Sequence, residues 1–149
     1  MYPILLMGVN KMPVQPYINF NGNCREAVEY YTKVFGAAKP EIMSFGDAPE
    51  DMDFPITEET KDLVMHTALE IEGSTVMFSD VPPGMPFILG NNIGLVIISK
   101  DMDRIRSMFN ALKAEGTVVM DLQETFWSKL YGMVTDKFGI AWQFHHDRE

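Results

Sequence analysis

Two helix-like segments in this chain end on glycines, Gly36 and Gly116, that lie 80 residues apart, and similar elements surround each. Before the first, Val14 to Phe20 is short, apolar and aromatic, as strands are. Asn23 stands where an N-cap would, with Glu26 three residues on as in a capping box. Ala27, Val28, Tyr31, Val34 and Phe35 then recur at helical spacing, and Gly36 is a natural stop. Glu41 to Phe45 predicts a second strand. Leu63 to Ile71 and Thr75 to Ser79 predict a hairpin around Glu72-Gly73-Ser74. The order then recurs. Ile93 to Ser99 is β-rich, and Asp101 is an N-cap candidate. Ile105, Met108, Phe109 and Leu112 form a helical stripe that Gly116 closes. Thr117 to Asp121 predicts a strand. Lys129 to Thr135 and Ile140 to His145 predict a hairpin around Asp136-Lys137-Phe138-Gly139. The chain reads β-α-β-β-β, connector, β-α-β-β-β, a repeat of architecture and hardly of sequence.

The expected fold is therefore α+β: two βαβββ modules whose curved mixed sheets surround a concave cleft. Residues 1–13 read as an N-terminal extension and 14–146 as one domain. Module one spans 14–80, a Pro/Gly-rich connector 81–92, and module two 93–146. A length of 149 residues suits one domain, and an apolar fraction of 46% suits a packed core.

Charge excludes whole classes of partner. Twelve Lys and Arg against 21 Asp and Glu leave a net charge of −9. That argues against nucleic acid, which needs a basic face, and against an anionic membrane surface. The acids concentrate in Gly46 to Asp62, where seven of them face one Lys61. A loop of this length is either a solvated surface segment or a ligand lid. Cys24 is the single cysteine, so no internal disulfide forms, as in a reducing compartment. No base stands beside it to make it a nucleophile, and it reads as packing. The apolar start is too short for a bilayer span and lacks the marks of a signal peptide. Met1 to Lys11 reads as an upstream extension or arm, and the expected location is cytoplasmic. Of 12 methionines, Met65, Met77, Met108, Met120 and Met133 sit in periodic apolar segments and are expected to fill the core.

Several blocks resemble a known family. They are Pro16-Tyr17-Ile18-Asn19-Phe20-Asn21-Gly22-Asn23-Cys24-Arg25-Glu26-Ala27, Tyr30-Tyr31-Thr32-Lys33-Val34-Phe35-Gly36, Met65-His66 with Phe78-Ser79-Asp80, and Asp136-Lys137-Phe138-Gly139-Ile140-Ala141-Trp142-Gln143. Together they resemble the vicinal oxygen chelate superfamily of glyoxalases, bleomycin-resistance proteins and extradiol dioxygenases, and within it the PhnB-like group. Metal-dependent members take two His, Glu or Gln ligands from each module, one from its first strand and one from its last. Those positions fall here on Gln15 or Pro16, on Met77 or Phe78, within Ile93 to Ile98, and on Gln143. At most two glutamines remain, so the expectation is a cleft with no metal and no cofactor. Enediolate chemistry would then lack its Lewis acid. Some members carry a name implying methyl transfer, but no glycine-rich nucleotide-binding loop appears in this chain.

Strand alternation supplies the site candidates. Leu63, Met65, Thr67, Leu69 and Ile71 form the more apolar face, which leaves His66 pointing into the cleft as a ligand contact or general base; the alternative is a core histidine satisfied by a hydrogen bond. On the final strand Gln143 faces the cleft and Trp142 the helix side. Tyr17 and Asn19 are further contacts, and Phe126 and Trp127 aromatic walls. His145 and His146, adjacent on a strand, point to opposite faces and are expected to be exposed. The expected function is a small-molecule-binding protein of the glyoxalase/bleomycin-resistance type, with a cationic ligand favoured by the acidic charge. The alternative is an isomerase, lyase or transferase using His66 as base or a non-standard metal site. By resemblance the expected assembly is a homodimer.

Overall fold

In the computed structural model, which describes residues 12–49 and 56–148, the doubled element order is present. The first repeat gives β1 (Tyr17–Phe20), α1 (Cys24–Phe35), β2 (Met43–Ser44), β3 (Val64–Ile71) and β4 (Ser74–Asp80). The second gives β5 (Gly94–Ser99), α2 (Met102–Lys113), β6 (Thr117–Gln123), β7 (Tyr131–Thr135) and β8 (Ala141–His146). The sheets have matching orders, β1-β4-β3-β2 and β5-β8-β7-β6. β1 runs parallel to β4 and β5 to β8, and the remaining pairs are antiparallel. The parallel pairs follow from the helix between them, since parallel neighbours need a long crossover. The expected extension over Met1 to Lys11 lies outside the described residues, as do residues 50–55 of the acidic loop. The described ends of that loop are tied together: Phe45 and Gly46 N–H groups donate to Leu63 and Lys61 carbonyls at 2.9 and 2.8 Å.

The chain forms two compact units, and they do not coincide with the two repeats. One holds β1 to β4. The other holds Glu26–Ala37, the body of α1, together with the described chain from Pro86 onward. Aromatic packing explains the assignment. Tyr31 and Phe35 of α1 lie 5.8 and 4.9 Å from the Trp142 ring, and Tyr30 and Tyr31 meet Phe138 edge-on. Arg104 of α2 donates to the Phe35 carbonyl, and the Tyr30 hydroxyl to the Ala111 carbonyl at 3.4 Å. Phe109 of α2 packs edge-on against Phe144. Both helices therefore cover the Trp142, Phe144 and Val134 face of the second sheet. Each large side chain buried there is worth about 1.5–3 kcal/mol. In the first unit, Phe20, Val76 and Phe78 share a buried face with Leu69 and Ile71.

One buried aspartate organises each unit. Asp80, at the end of β4, accepts from the Gly22 and Cys24 N–H groups through Oδ1 and from Val64 N–H through Oδ2, at 2.8, 3.0 and 2.9 Å. Asn23 was the expected cap of α1; the carboxylate of Asp80 takes that role instead. A longer-range acceptor suits this helix start because it also fixes the neighbouring strand. α2 is capped as expected, with Asp101 accepting from Arg104 N–H. Asp136, in the turn between β7 and β8, accepts from the Tyr31 hydroxyl at 2.5 Å, Trp142 Nε1–H at 2.9 Å, and the Phe138 and Ile140 N–H groups at 2.8 and 3.0 Å.

Some details match the sequence expectations and others depart from them. Gly36 ends α1 in the left-handed conformation, at φ 62°. Gly116 is needed for a different reason: a Cβ there would sit 2.4 Å from the Thr135 carbonyl oxygen. The strand expected over Glu41 to Phe45 shrinks to two residues, because a tight turn at Phe45–Asp47 begins at once. Of the five methionines expected in the core, Met108 alone is fully buried. Met65, Met77, Met120 and Met133 are half-buried. Met77 and Met133 fall on strand positions opposite the covered faces. His145 and His146 are half-buried rather than exposed, and His146 Nε2 lies 3.1 Å from the Lys100 carbonyl oxygen.

Candidate functional site

Each sheet has one face covered and one face open, and the residues expected at the site lie on the open faces. In the first unit the row pairings put Tyr17 beside Met77 and Asn19 beside Ser79. Ala68 continues the Met77 row, and His66, two residues earlier on β3, shares its face. Tyr17 is 46% exposed. Its hydroxyl lies 3.3 Å from His66 Nδ1, with ring centroids 5.8 Å apart. When the phenol donates, Nδ1 is occupied and Nε2 is left to meet a ligand. Ser79, itself buried, donates to Asn19 Oδ1 at 2.9 Å, which fixes the Asn19 amide.

Beside His66 is a concavity of about 360 Å³ lined by Glu41, Ile42, Met43, Asp47 and His66. Met43 stands opposite His66 in the β2–β3 ladder. Asp47 is held by the Ser44 N–H at 3.1 Å, and Arg25 reaches Ser44 Oγ and the Asp62 carbonyl at 3.1 and 2.9 Å. Two carboxylates, a thioether and an imidazole thus border one small hollow. It can take a compact cationic group with an apolar body.

The open face of the second sheet carries Gln143 between Val96 and Met133. Tyr131 donates its hydroxyl to Gln143 Oε1 at 2.5 Å. The Trp127 ring stands edge-on to Tyr131 at 5.3 Å, and Phe126 edge-on to Trp127 at 4.7 Å. Thus Tyr17, Asn19 and His66 fall together in the first unit, and Phe126, Trp127 and Gln143 in the second. Tyr131, Met133, Glu41, Met43 and Asp47 were missed. Tyr131 was within reach of the sequence: the turn at Asp136–Gly139 sets the hairpin register and puts Tyr131 diagonally across from Gln143. The residues around His66 were not, since they enter through a two-residue strand that alternation does not reveal.

Metal-dependent members of the superfamily that this chain resembles place their ligands at four strand positions. The Pro16 carbonyl is used in the sheet ladder by Met77 N–H, and Phe78 is fully buried on the covered face. On the open faces these positions hold Met77 in the first unit, and Val96 and Gln143 in the second. Gln143 offers a side-chain oxygen, which accepts from Tyr131, and Gln15 is the other glutamine among the four positions. Among the described residues, no three His, Cys, Asp or Glu side chains come together as a metal cluster. Two glutamines are a weak donor set beside the His and carboxylate ligands that a divalent ion prefers.

Cys24 is fully buried at the start of α1. Burial, with the nearby Asp80 charge, pushes its thiol up to about 12 against the opposing pull of Arg25. It is an inert packing group. No described helix is long and apolar enough to cross a membrane.

The family model described as 3-demethylubiquinone-9 3-methyltransferase matches residues 12–145. This chain belongs to that family. It is 36% identical to the Escherichia coli protein YjdN over 146 residues, covering 90% of this chain and 95% of that one. It is also similar to the crystal structure of PA1353 from Pseudomonas aeruginosa, at 34% identity and a TM-score of 0.78 over 93% of this chain and 100% of that one. A Bacillus cereus structure, described as a putative 3-demethylubiquinone-9 3-methyltransferase, PhnB protein, matches at 22% identity and a TM-score of 0.69, covering 91% and 100%. A glyoxylase/bleomycin resistance protein/dioxygenase domain from Frankia shares the fold, with a TM-score of 0.63 at 12% identity over 93% and 98%. The PhnB-like family and its glyoxalase-like α+β fold are thus both in place.

Proposed function

We propose that this PhnB-like chain is a small-molecule-binding protein that works without the family's usual divalent ion. The observation that carries the proposal is the Tyr17–His66 pair at the edge of the hollow lined by Glu41, Met43 and Asp47. Its charge favours a cationic ligand, and the net charge of −9 adds long-range attraction. Half-buried methionines suit an adaptable apolar surface, because the thioether chain is flexible and polarizable. The ligand contacts in this reading are Tyr17, Asn19 and His66 in the first unit and Phe126, Trp127 and Gln143 in the second. The working assembly in this reading is a homodimer.

The hydrogen bond between Tyr17 and His66, in the tautomer where His66 Nδ1–H donates to the phenol oxygen and Nε2 is left an acceptor, favours a second reading. It would orient His66 as a general base in an isomerase, lyase or transferase. Calorimetric titration with proflavine, a planar organic cation, tests the first reading. Saturable binding that weakens between 50 and about 500 mM salt supports it, because exposed charges are screened. Binding that is absent, or indifferent to both salt and His66→Ala, contradicts it. A turnover whose pH profile disappears in His66→Ala would favour the second.

A further inference from the structure

The segment between β6 and β7 holds two large aromatic side chains out in water. Phe126 is 92% exposed and Trp127 44%. The segment is firmly built all the same. Thr125 N–H donates to the Ser128 carbonyl at 2.8 Å, and Ser128 N–H to Thr125 Oγ1 at 3.1 Å. Ser128 is fully buried. Its single hydroxyl proton is shared between the Leu130 and His146 carbonyls, each 3.0 Å away, and its oxygen accepts from His146 N–H at 3.1 Å. The turn is thereby pinned to the end of β8. From it a ladder of rings runs inward, Phe126 to Trp127 to Tyr131 to His145, each edge-on to the next. Beside Tyr131 the ladder meets Gln143. Gln143 Oε1 accepts from Tyr131, which fixes the amide, and its NH₂ is the donor end.

We infer that the second unit carries a subsite for a planar aromatic group bearing a hydrogen-bond acceptor, such as a ring carbonyl. Because the two rings stand perpendicular to each other, Phe126 stacks on the plane and Trp127 meets its edge; Gln143 Nε2 donates to the acceptor, and Ser128 is the positioning residue that keeps the ring-bearing turn ready. Preorganisation matters here, because a turn that had to be ordered on binding would give back part of its affinity. This inference rests on the small-molecule reading above and names the chemistry of one part of it.

The test is a nitrogen–proton NMR titration of the full chain with acridone, a planar ring carbonyl, and with carbazole, a planar tricycle with no carbonyl. The chain has two tryptophans, so its two indole signals separate the exposed Trp127 from the buried Trp142. Acridone should move the Trp127 indole and the Gln143 amide pair saturably and leave Trp142 still. Phe126→Ala should weaken it about tenfold, the loss of one good stacking contact. Gln143→Met should weaken acridone and spare carbazole. Ser128→Ala should lower affinity for both and raise the mobility of the Trp127 indole, with the Trp142 signal unchanged. Acridone shifts confined to Tyr17 and His66 would overturn this inference while leaving the binding reading intact. Proflavine binding with no acridone response would do the same. A Trp127 signal that responds to protein dilution, with Phe126→Ala converting a dimer to a monomer, would assign the aromatic turn to a second copy and overturn the ligand subsite.

Discussion

The two repeats share one topology but place their buried aspartate differently. In the first repeat Asp80 ends the last strand and receives three backbone N–H groups. It fixes where the chain runs. In the second, Asp136 sits in the turn before the last strand and receives two backbone N–H groups together with Tyr31 and Trp142. It ties the chain path to an aromatic core. The difference also explains why the helix of the first repeat belongs to the second unit: Tyr31, on that helix, is one of the donors to Asp136. A repeat of architecture does not make two interchangeable halves.

Removing each aspartate is the strongest way to break this comparison. Asp136→Ala leaves four donors without their acceptor and should cost about 4 kcal/mol in a urea titration. Asp80→Ala, with three, should cost about 3, since a buried donor left unpaired loses roughly 1–3 kcal/mol before relaxation. An Asp80→Ala loss larger than that of Asp136→Ala would reverse the ranking. The two helix-ending glycines offer a parallel pair. Gly116→Ala drives a Cβ into the Thr135 and Leu112 carbonyl oxygens and should cost about 2–3 kcal/mol. Gly36→Ala meets only Arg104 at 3.8 Å, and its cost is the left-handed backbone, about 1 kcal/mol. Equal losses would show that both glycines serve one purpose. Tyr31→Phe keeps the packing and removes one donor to Asp136, for about 1.5 kcal/mol in the same titration.

A further effect is in alkali. Burial and then Asp136 push the Tyr31 hydroxyl above its ordinary value, and Cys24 is pushed up to about 12. The folded chain keeps both protons at pH values where the unfolded chain gives them up. The Cys24 contribution is therefore complete below the ordinary thiol value of 9.0 and is lost as pH rises from there toward 12, and that of Tyr31 is lost from its ordinary value of 10.0 upward. At pH 10 the loss should be about 1 kcal/mol, and Cys24→Ala should flatten most of it. A stability that is level between pH 8 and 11 would contradict the burial assigned to both groups.

The fold was legible in the sequence because its signals are local and doubled. The glycine stops, the helical stripes and the hairpin turns each constrain a few residues, and the second copy checks the first. The family was legible for a related reason. Asn21 to Cys24 meets Phe78-Ser79-Asp80 at the Asp80 carboxylate, and Tyr30-Tyr31 meets the Asp136–Gln143 block at the Asp136 carboxylate. The blocks that carry the resemblance are thus largely those that hold the fold, and they say little about chemistry. The candidate site was legible only in part. Alternation picks out Tyr17, His66 and Gln143 one strand at a time, whereas Glu41, Met43 and Asp47 reach His66 through a short strand and a tight turn. The methionines misled for the same reason: periodicity marks a strand face as apolar without saying whether anything covers it.

The His66 ring, followed by proton NMR as proflavine is added to the full chain, tests the binding site most directly. A saturable shift of the His66 ring signals is expected. That shift should weaken in Tyr17→Phe, and it should weaken further when Glu41→Gln and Asp47→Asn remove the two carboxylates. Saturable proflavine binding that leaves His66 unmoved, or that is as tight without both carboxylates, would contradict this site.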